Sequence, residues 1–349
     1  MTQPNVLSPL LNAQVSSSDP SPISTRADIT EQALQQILYL LTQHHYRHTT
    51  ISPASHATIM QRDWQHDSQQ HSTLMVLQQL FGWSRAVPIS AIPADLYQLG
   101  QQAQLWQMVD DAQVQSRLRV SSLDDAGQRY LFWHSAYPTV QADAVFFGPD
   151  TYRFVRAIAA WLDQHQPTVQ RAVEICSGAG PAAITIAKRY PLATVLALDI
   201  NPTALQLSRI QAAHVGADRF IAQHSNLLHD VEGQFDLIVA NPPYLVDASE
   251  RAYRHGGGPL GAGLSLAIIE QSFSRLTVGG SLLLYTGVAM INGIDPFWQA
   301  IEQMHLDAQQ WSIDYQEIDP DVFGEELATG VYAQADRIAA IFLTITRLA

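Results

Sequence analysis

The sequence predicts an α/β architecture in two parts, a helical N-terminal region followed by a doubly wound parallel sheet. Three observations carry that reading. From Gly148 onward, short apolar runs alternate with amphipathic helical stretches, the rhythm of strand–helix–strand units. A glycine loop, Ser177-Gly178-Ala179-Gly180-Pro181, joins the first of those runs to the first of those helices. The run FDLIVA (235–240) ends in Asn241-Pro242-Pro243-Tyr244, an unusual way to close a buried strand.

Residues 1–26, with SSSDPSPIST, are rich in Ser and Pro and lack apolar periodicity, so they read as a disordered tail. A second unit, 27–143, is mostly helical. EQALQQILYLL sets Leu34, Ile37, Leu38 and Leu41 on one face, and LMVLQQLFGW does the same with Leu74, Leu77, Leu80 and Phe81. VPISAIPADLYQLGQQAQLW reads as a turn and another helix. VQSRLRVSS and RYLFWHS read as two strands of a hairpin, joined at the turn-rich tetrad Asp124-Asp125-Ala126-Gly127. Helix, turn, helix and hairpin resemble a winged helix, an arrangement that serves many functions and fixes none.

The third unit, 144–349, carries the alternating pattern. Its strands are RAVEIC (171–176), TVLALD (194–199), FDLIVA, SLLLYTG and IAAIFLTITR (338–347), with FIAQHS ambiguous. Its helices are PAAITIAKRY, PTALQLSRIQAAHVG, LAIIEQSFSRL and PFWQAIEQMH.

At 349 residues the chain is long enough for two domains. Its net charge of −13 opposes a broad grip on phosphate backbones, so nucleic acid is a disfavoured partner. The single cysteine, Cys176, excludes an internal disulfide and fits a reducing compartment. MTQPNVLSPL has no basic segment before an apolar core, and SLLLYTGVAMI is too short to span a bilayer. A soluble, cytoplasmic protein is expected.

The glycine loop lets the backbone turn tightly and a ligand approach the main chain, with the next helix aiming its amides at the same place. About 20 residues on, Asp199 ends the second strand, where a carboxylate can accept from ribose hydroxyls. A nucleoside-containing cofactor follows. Gly178, Gly180 and Ala183 satisfy the dinucleotide pattern G-x-G-x-x-G/A, so an NAD-dependent oxidoreductase and a silent nucleoside-binding module stay open. Pro181, lacking an N–H where a pyrophosphate would seek donors, tilts the reading away from a dinucleotide.

VEICSGAG, LALDINPTAL, SNLL and IVANPPY, in that order and spacing, resemble the class I S-adenosylmethionine-dependent methyltransferases. More narrowly, they resemble the branch holding the release factor glutamine N-methyltransferases and the amino-directed rRNA, tRNA and DNA methyltransferases. The resemblance runs from about Val145 to the C-terminus and implies a Rossmann-like, seven-stranded domain. FFGPDTYRFV adds a Pro149-Asp150-Thr151 segment like the one beside the cofactor in glutamine methyltransferases. The resemblance implies that Glu174, Gly178 and Gly180 surround the methionine end of S-adenosylmethionine. It also implies that Asp199 binds the ribose, and that Asn226 and Leu227 flank the adenine. Two departures stand out: Asn226 where many relatives have aspartate, and Cys176 where they have glycine.

The resemblance gives Asn241, Pro242 and Tyr244 the catalytic part. A planar amide or aromatic amine is a poor nucleophile because its lone pair is delocalised. Acceptance of its N–H groups by the Asn241 side chain and the Pro242 carbonyl orients it and favours a pyramidal nitrogen, while Tyr244 stacks on its flat face. The expected reaction is N-methylation, with a protein glutamine as first acceptor, a small-molecule amine next and nucleic acid third. No metal is expected: His44, His45 and His48 read as a solvated helix face. Two segments are candidate lids over the substrate: YRHGGGPLGAGLS (253–265), beside which Arg251 adds to Arg254 and His255, and DPDVFGEEL (319–327).

Overall fold

The computed structural model describes residues 31–62, 72–247, 249–328 and 330–349. The expected tail, 1–26, lies outside them. Helix α1 (Glu31–Gln43) buries the predicted stripe of Leu34, Ile37, Leu38 and Leu41. Helix α2 (Pro53–Met60) is capped by Ser52, whose hydroxyl accepts from the Ser55 amide. Helix α3 (Thr73–Leu77) runs on into a π-helical turn, Gln78–Gly82. Then come β1 (Val87–Pro88), α4 (Ala94–Gln102), β2 (Trp106–Met108) and β3 (Gln113–Ser116). These three strands form a small antiparallel sheet in the order β1–β3–β2.

The expected hairpin is therefore two structures. VQSRLRVSS divides at Arg117: its first part is β3, and its second opens β4 (Leu118–Asp125), which pairs only with β5 (Gln128–Ser135). The division is local chemistry, because the Ser116 hydroxyl bonds both the N–H and the carbonyl of Leu118. The β4–β5 turn is as read, with Ala126 at φ 47° and Gly127 at φ 76°, both left-handed as a two-residue type I′ turn needs.

The remaining elements are α5 (Pro149–His165), β6 (Arg171–Ile175), α6 (Pro181–Arg189), β7 (Thr194–Asp199), α7 (Pro202–Val215), β8 (Phe220–His224), β9 (Phe235–Ala240), α8 (Gly263–Arg275), β10 (Leu276–Met290), α9 (Pro296–Glu302), β11 (Trp311–Asp319) and β12 (Arg337–Arg347). The sheet order is β11–β12–β10–β9–β6–β7–β8, parallel except that β12 runs against both neighbours. This is a Rossmann-like sheet of seven strands. Strand β11 is absent from the sequence reading. Its signal was a period of two: Trp311, Ile313 and Tyr315 alternate with polar residues, and Trp311 and Tyr315 pack on Phe273 and Trp298.

The N-terminal elements do not stand apart. Helix α1 packs against α4 and α7, and β5 packs against α7. Leu34, Trp133 and Phe147 belong to the same buried cluster as Ala183 and Leu207, and the Trp133 indole donates to the Leu34 carbonyl at 3.3 Å. Among the described residues, no helix is long and apolar enough to cross a membrane.

Candidate active site

Chain direction decides where the site lies. Strand order reverses between β6 and β9, so the helices after them leave on opposite faces and a crevice opens beyond the strands' carboxyl ends. A cleft lies there, reached by the ends of β6, β7 and β9 and by the start of α5.

Its floor is the glycine loop. Cys176, Gly178 and Gly180 all have left-handed backbones, at φ 54°, 52° and 75°. At Cys176 that conformation costs a non-glycine residue roughly 1–2 kcal/mol. The loop is held by bonds that outlast any ligand. The Ser177 amide donates to the Leu198 carbonyl at 2.9 Å, and the Gln211 side chain donates to the Ala179 carbonyl at 2.6 Å. The Gly178 amide donates to an Asp199 carboxylate oxygen at 2.8 Å.

Both acids are therefore structural as well as available. Asp199 accepts from Gly178 on one oxygen and from the Asn201 amide, at 2.8 Å, on the other. Burial raises its pKa, against the lowering effect of those amides. Glu174 accepts from the Ala183 amide at 2.7 Å and the Ala182 amide at 3.4 Å, at the start of α6. Burial nevertheless pushes its carboxyl up to about 8. The same burial, with Asp199 and Glu174 nearby, raises the Cys176 thiol, which stays protonated and packs.

One wall comes from the segment entering α5. Ala144, Val145 and Phe146 line the cleft. They are pinned on one side by β5, where Val145 and Ser135 exchange bonds of 2.8 and 3.0 Å, and on the other by Asn201, which donates to the Asp143 carbonyl at 2.8 Å. Pro149 starts α5 without lining the cleft, whereas Asp150 and Thr151 line it. Asp150 is buried, accepts from the Tyr285 hydroxyl at 2.6 Å, and pairs with Arg153 at 3.0 Å. Arg153 also meets Asp319 at 2.8 Å.

On the other side lie Asn226, Leu227, Asn241, Pro242 and Tyr244. The Asn241 side chain has no hydrogen bond among the described residues, so its oxygen and its NH₂ remain available to a ligand. The buried Ser177 hydroxyl also lacks a partner, whereas the Tyr244 hydroxyl faces the Asp150 carboxyl. Gly180 caps α6 and does not touch the cleft.

The two candidate lids meet over the mouth. Tyr253 and Arg254 from the first, and Phe323 from the second, line the cleft together. Arg254 donates to Glu326 and its guanidinium lies 5.9 Å from the Phe323 ring centre. The Tyr253 hydroxyl donates to the Thr139 carbonyl at 2.9 Å. The expected basic spot is thus compensated: Arg251 pairs with Asp247 at 2.5 Å, and Arg254 lies 3.7 Å from the same acid. Nor is the first loop loosely held, since Gly256, Gly258, Gly261 and Gly263 lie against main chain. A Cβ on Gly261 would lie 2.1 Å from the Tyr244 carbonyl oxygen.

No group of three or more His, Cys, Asp or Glu able to hold a metal occurs among the described residues. The solvated-face reading fails for His48, which is buried beyond the end of α1 beside Arg119 at 3.3 Å. Sequence reasoning missed Phe146, Ser177, Asn201, Tyr253 and Phe323 as lining residues; the last two were within the candidate lids but carried no individual signal.

Residues 155–288 match the family model described as the methyltransferase small domain. The ribosomal protein uL3 glutamine methyltransferase of Neisseria gonorrhoeae is 32% identical over 138 residues, 36% of this chain and 46% of that protein. The release factor glutamine methyltransferase of Deinococcus radiodurans is 30% identical over 167 residues, 45% of this chain and 55% of that one. The 4-amino-L-phenylalanine/4-methylamino-L-phenylalanine methyltransferase of Streptomyces pristinaespiralis is 27% identical over 165 residues, 44% of this chain and 56% of that one. The chain spans about half the length of these curated relatives.

Proposed function

We propose, from the premise that residues 155–288 form a methyltransferase small domain, that the chain is an S-adenosylmethionine-dependent N-methyltransferase acting on a planar amide or amine nitrogen. The observation that carries this reading is the unpaired Asn241 side chain, at the end of β9, opening onto the same cleft as the glycine loop and Asp199.

The residues present fit the cofactor. Asp199 keeps a lone pair on each oxygen for ribose hydroxyls, and Leu227 offers an apolar face to a base. The unpartnered Ser177 hydroxyl and Glu174 stand at the loop for the amino-acid end. When bound, S-adenosylmethionine supplies an electrophilic methyl group. The chain's own part is orientation and the exclusion of water. Asn241 and the Pro242 carbonyl accept the acceptor's N–H groups, Tyr244 bounds its flat face, and the Arg254–Glu326 pair closes the mouth.

A protein glutamine is the first acceptor, in line with two of the relatives above. A small arylamine is the second, favoured by the aromatic mouth of Tyr244, Tyr253 and Phe323. Nucleic acid is disfavoured by the net charge of −13 and by Asp110 and Asp111 at the tip of the β2–β3 wing. We take 144–349 as the catalytic domain, with 27–143 bracing its cleft, in a cytoplasmic enzyme. Incubation with a labelled methyl donor and lysate split into protein, RNA and small molecules tests the reading. Label in a protein or amine fraction supports it, and no transfer to any fraction by folded enzyme overturns it.

A further inference from the structure

We infer that Gly287, in the middle of β10, is a positioning residue for Tyr244. The inference rests on the methyltransferase reading of the cleft and deepens it.

The Tyr244 backbone is fixed by the close approach of Gly261, but that leaves its side-chain torsions free. What sets the ring is β10. A Cβ built on Gly287 would lie 2.3 and 2.5 Å from two edge carbons of the Tyr244 ring and 3.2 Å from a third. No methyl group fits at such distances, so the absent side chain of Gly287 is the slot that the ring occupies. Two further walls of the slot are aromatic, and the Tyr244 hydroxyl faces the Asp150 carboxyl at its far end. Tyr285, two residues back on the same strand, has its ring centre 6.4 Å from that of Tyr244, and Phe323 meets Tyr244 edge-on at 5.8 Å. So seated, Tyr244 is 7% exposed and still lines the cleft.

The glycine has no other evident use. Its backbone is not left-handed, and its register with Ala340 on β12 is regular. Strand interiors disfavour glycine, because it adds backbone entropy to the unfolded chain and packs nothing. An alanine at 287 would suit the strand and harm only the ring.

The test compares wild type, Gly287→Ala, Tyr244→Ala and the double variant. In crystals, Gly287→Ala should show the Tyr244 ring displaced with β10 unchanged. Calorimetry should give S-adenosylmethionine affinity within about threefold of wild type, while kcat falls roughly 10- to 100-fold, as expected for a group misplaced by about 1 Å. In the Tyr244→Ala background the same change should cost no further kcat, because the ring it acts through is gone. Should Gly287→Ala alone fail to fold, the double variant still decides, since its site has room for the methyl group. An undisplaced ring, an unchanged kcat in Gly287→Ala, or an equal loss in both backgrounds overturns the inference. A wild type that methylates nothing overturns the functional reading instead, and leaves ring displacement to judge the slot.

Discussion

Arg254 and Glu326, 72 residues apart in sequence, form an ion pair across the mouth of the cleft and join its two covering loops. Their side chains are about one-quarter exposed, so solvent screens the pair only in part. Two segments that were separate lid candidates in the sequence are one cover.

Loosening that cover should speed exchange. Glu326→Gln keeps the shape and removes the charge, and a partly exposed pair contributes up to about 1 kcal/mol. Stopped-flow measurement should find cofactor release roughly two- to fivefold faster, with less dependence on salt. Release rates equal to wild type at every ionic strength would mean that the pair does not close the site.

Asp199→Ala should weaken S-adenosylmethionine binding about 10- to 100-fold, through charge-assisted bonds worth roughly 1.5–3 kcal/mol. The same change leaves the amides of Gly178 and Asn201 unpaired, so the melting temperature should drop too. Asp199→Asn keeps an acceptor oxygen and should recover part of both. Unchanged affinity in a folded Asp199→Ala protein would remove the residue from the ribose position.

Asn241→Ala should leave cofactor affinity within a few-fold while collapsing methyl transfer. Removing one preorganised hydrogen bond that strengthens in the transition state costs about 2.7–4 kcal/mol, or roughly a hundred- to a thousand-fold. Asn241→Asp retains an acceptor oxygen and should keep more activity than alanine. Near-normal single-turnover rates for the alanine variant would reduce the motif to a strand ending.

Acid should unfold the protein through its N-terminal core. Burial, reinforced by the Arg119 guanidinium, holds His48 at about 3 and His56 at about 4, and keeps His134 well below the ordinary 6.5. The unfolded chain takes up these protons below pH 6.5 while the fold refuses them. Stability is therefore complete above that pH and is lost as pH falls toward 4, by up to about 1.4 kcal/mol per unit for each histidine. His56 lies between the rings of Tyr137, at 4.1 Å, and Trp83, at 5.5 Å, so His56→Phe keeps the stack and removes a titrating group. Circular dichroism should place its acid midpoint lower, and an identical midpoint would exclude His56 from the effect.

A chain cut before Ala144 should lose cofactor binding together with its fold. The cut would expose the α7 surface that α1 and β5 cover, and free the Val145 wall from Ser135. A monomeric fragment that binds cofactor normally would make the N-terminal part dispensable for the cleft.

Much of this was legible because local signals and tertiary demands agree. Glycine-loop spacing, the acid ending β7 and the motif after β9 each follow from backbone needs that one stretch of chain can display. Apolar runs located five of the seven strands, and the exceptions are instructive. Strand β8 is half exposed, and β11, at the sheet edge, only half-buries alternate residues over its first half, so neither has a continuous run. Residues brought in from far along the chain were invisible. Phe323 and Gly287 matter through what touches them, and no local pattern encodes a partner 79 or 43 positions away.

The shared core also bears on synthesis. Helix α1 is made well before α7, which covers its apolar side and ends about 170 residues later, roughly 10–35 s at ordinary elongation rates. Throughout that interval Leu34, Ile37, Leu38 and Leu41 lack their final cover, and the β5 face that meets α7 lacks it as well. The nascent chain thus carries an apolar surface while those residues are added, a window open to ribosome-associated chaperones and to premature aggregation. Folding of the cleft is correspondingly late, and no half-made chain can hold the cofactor.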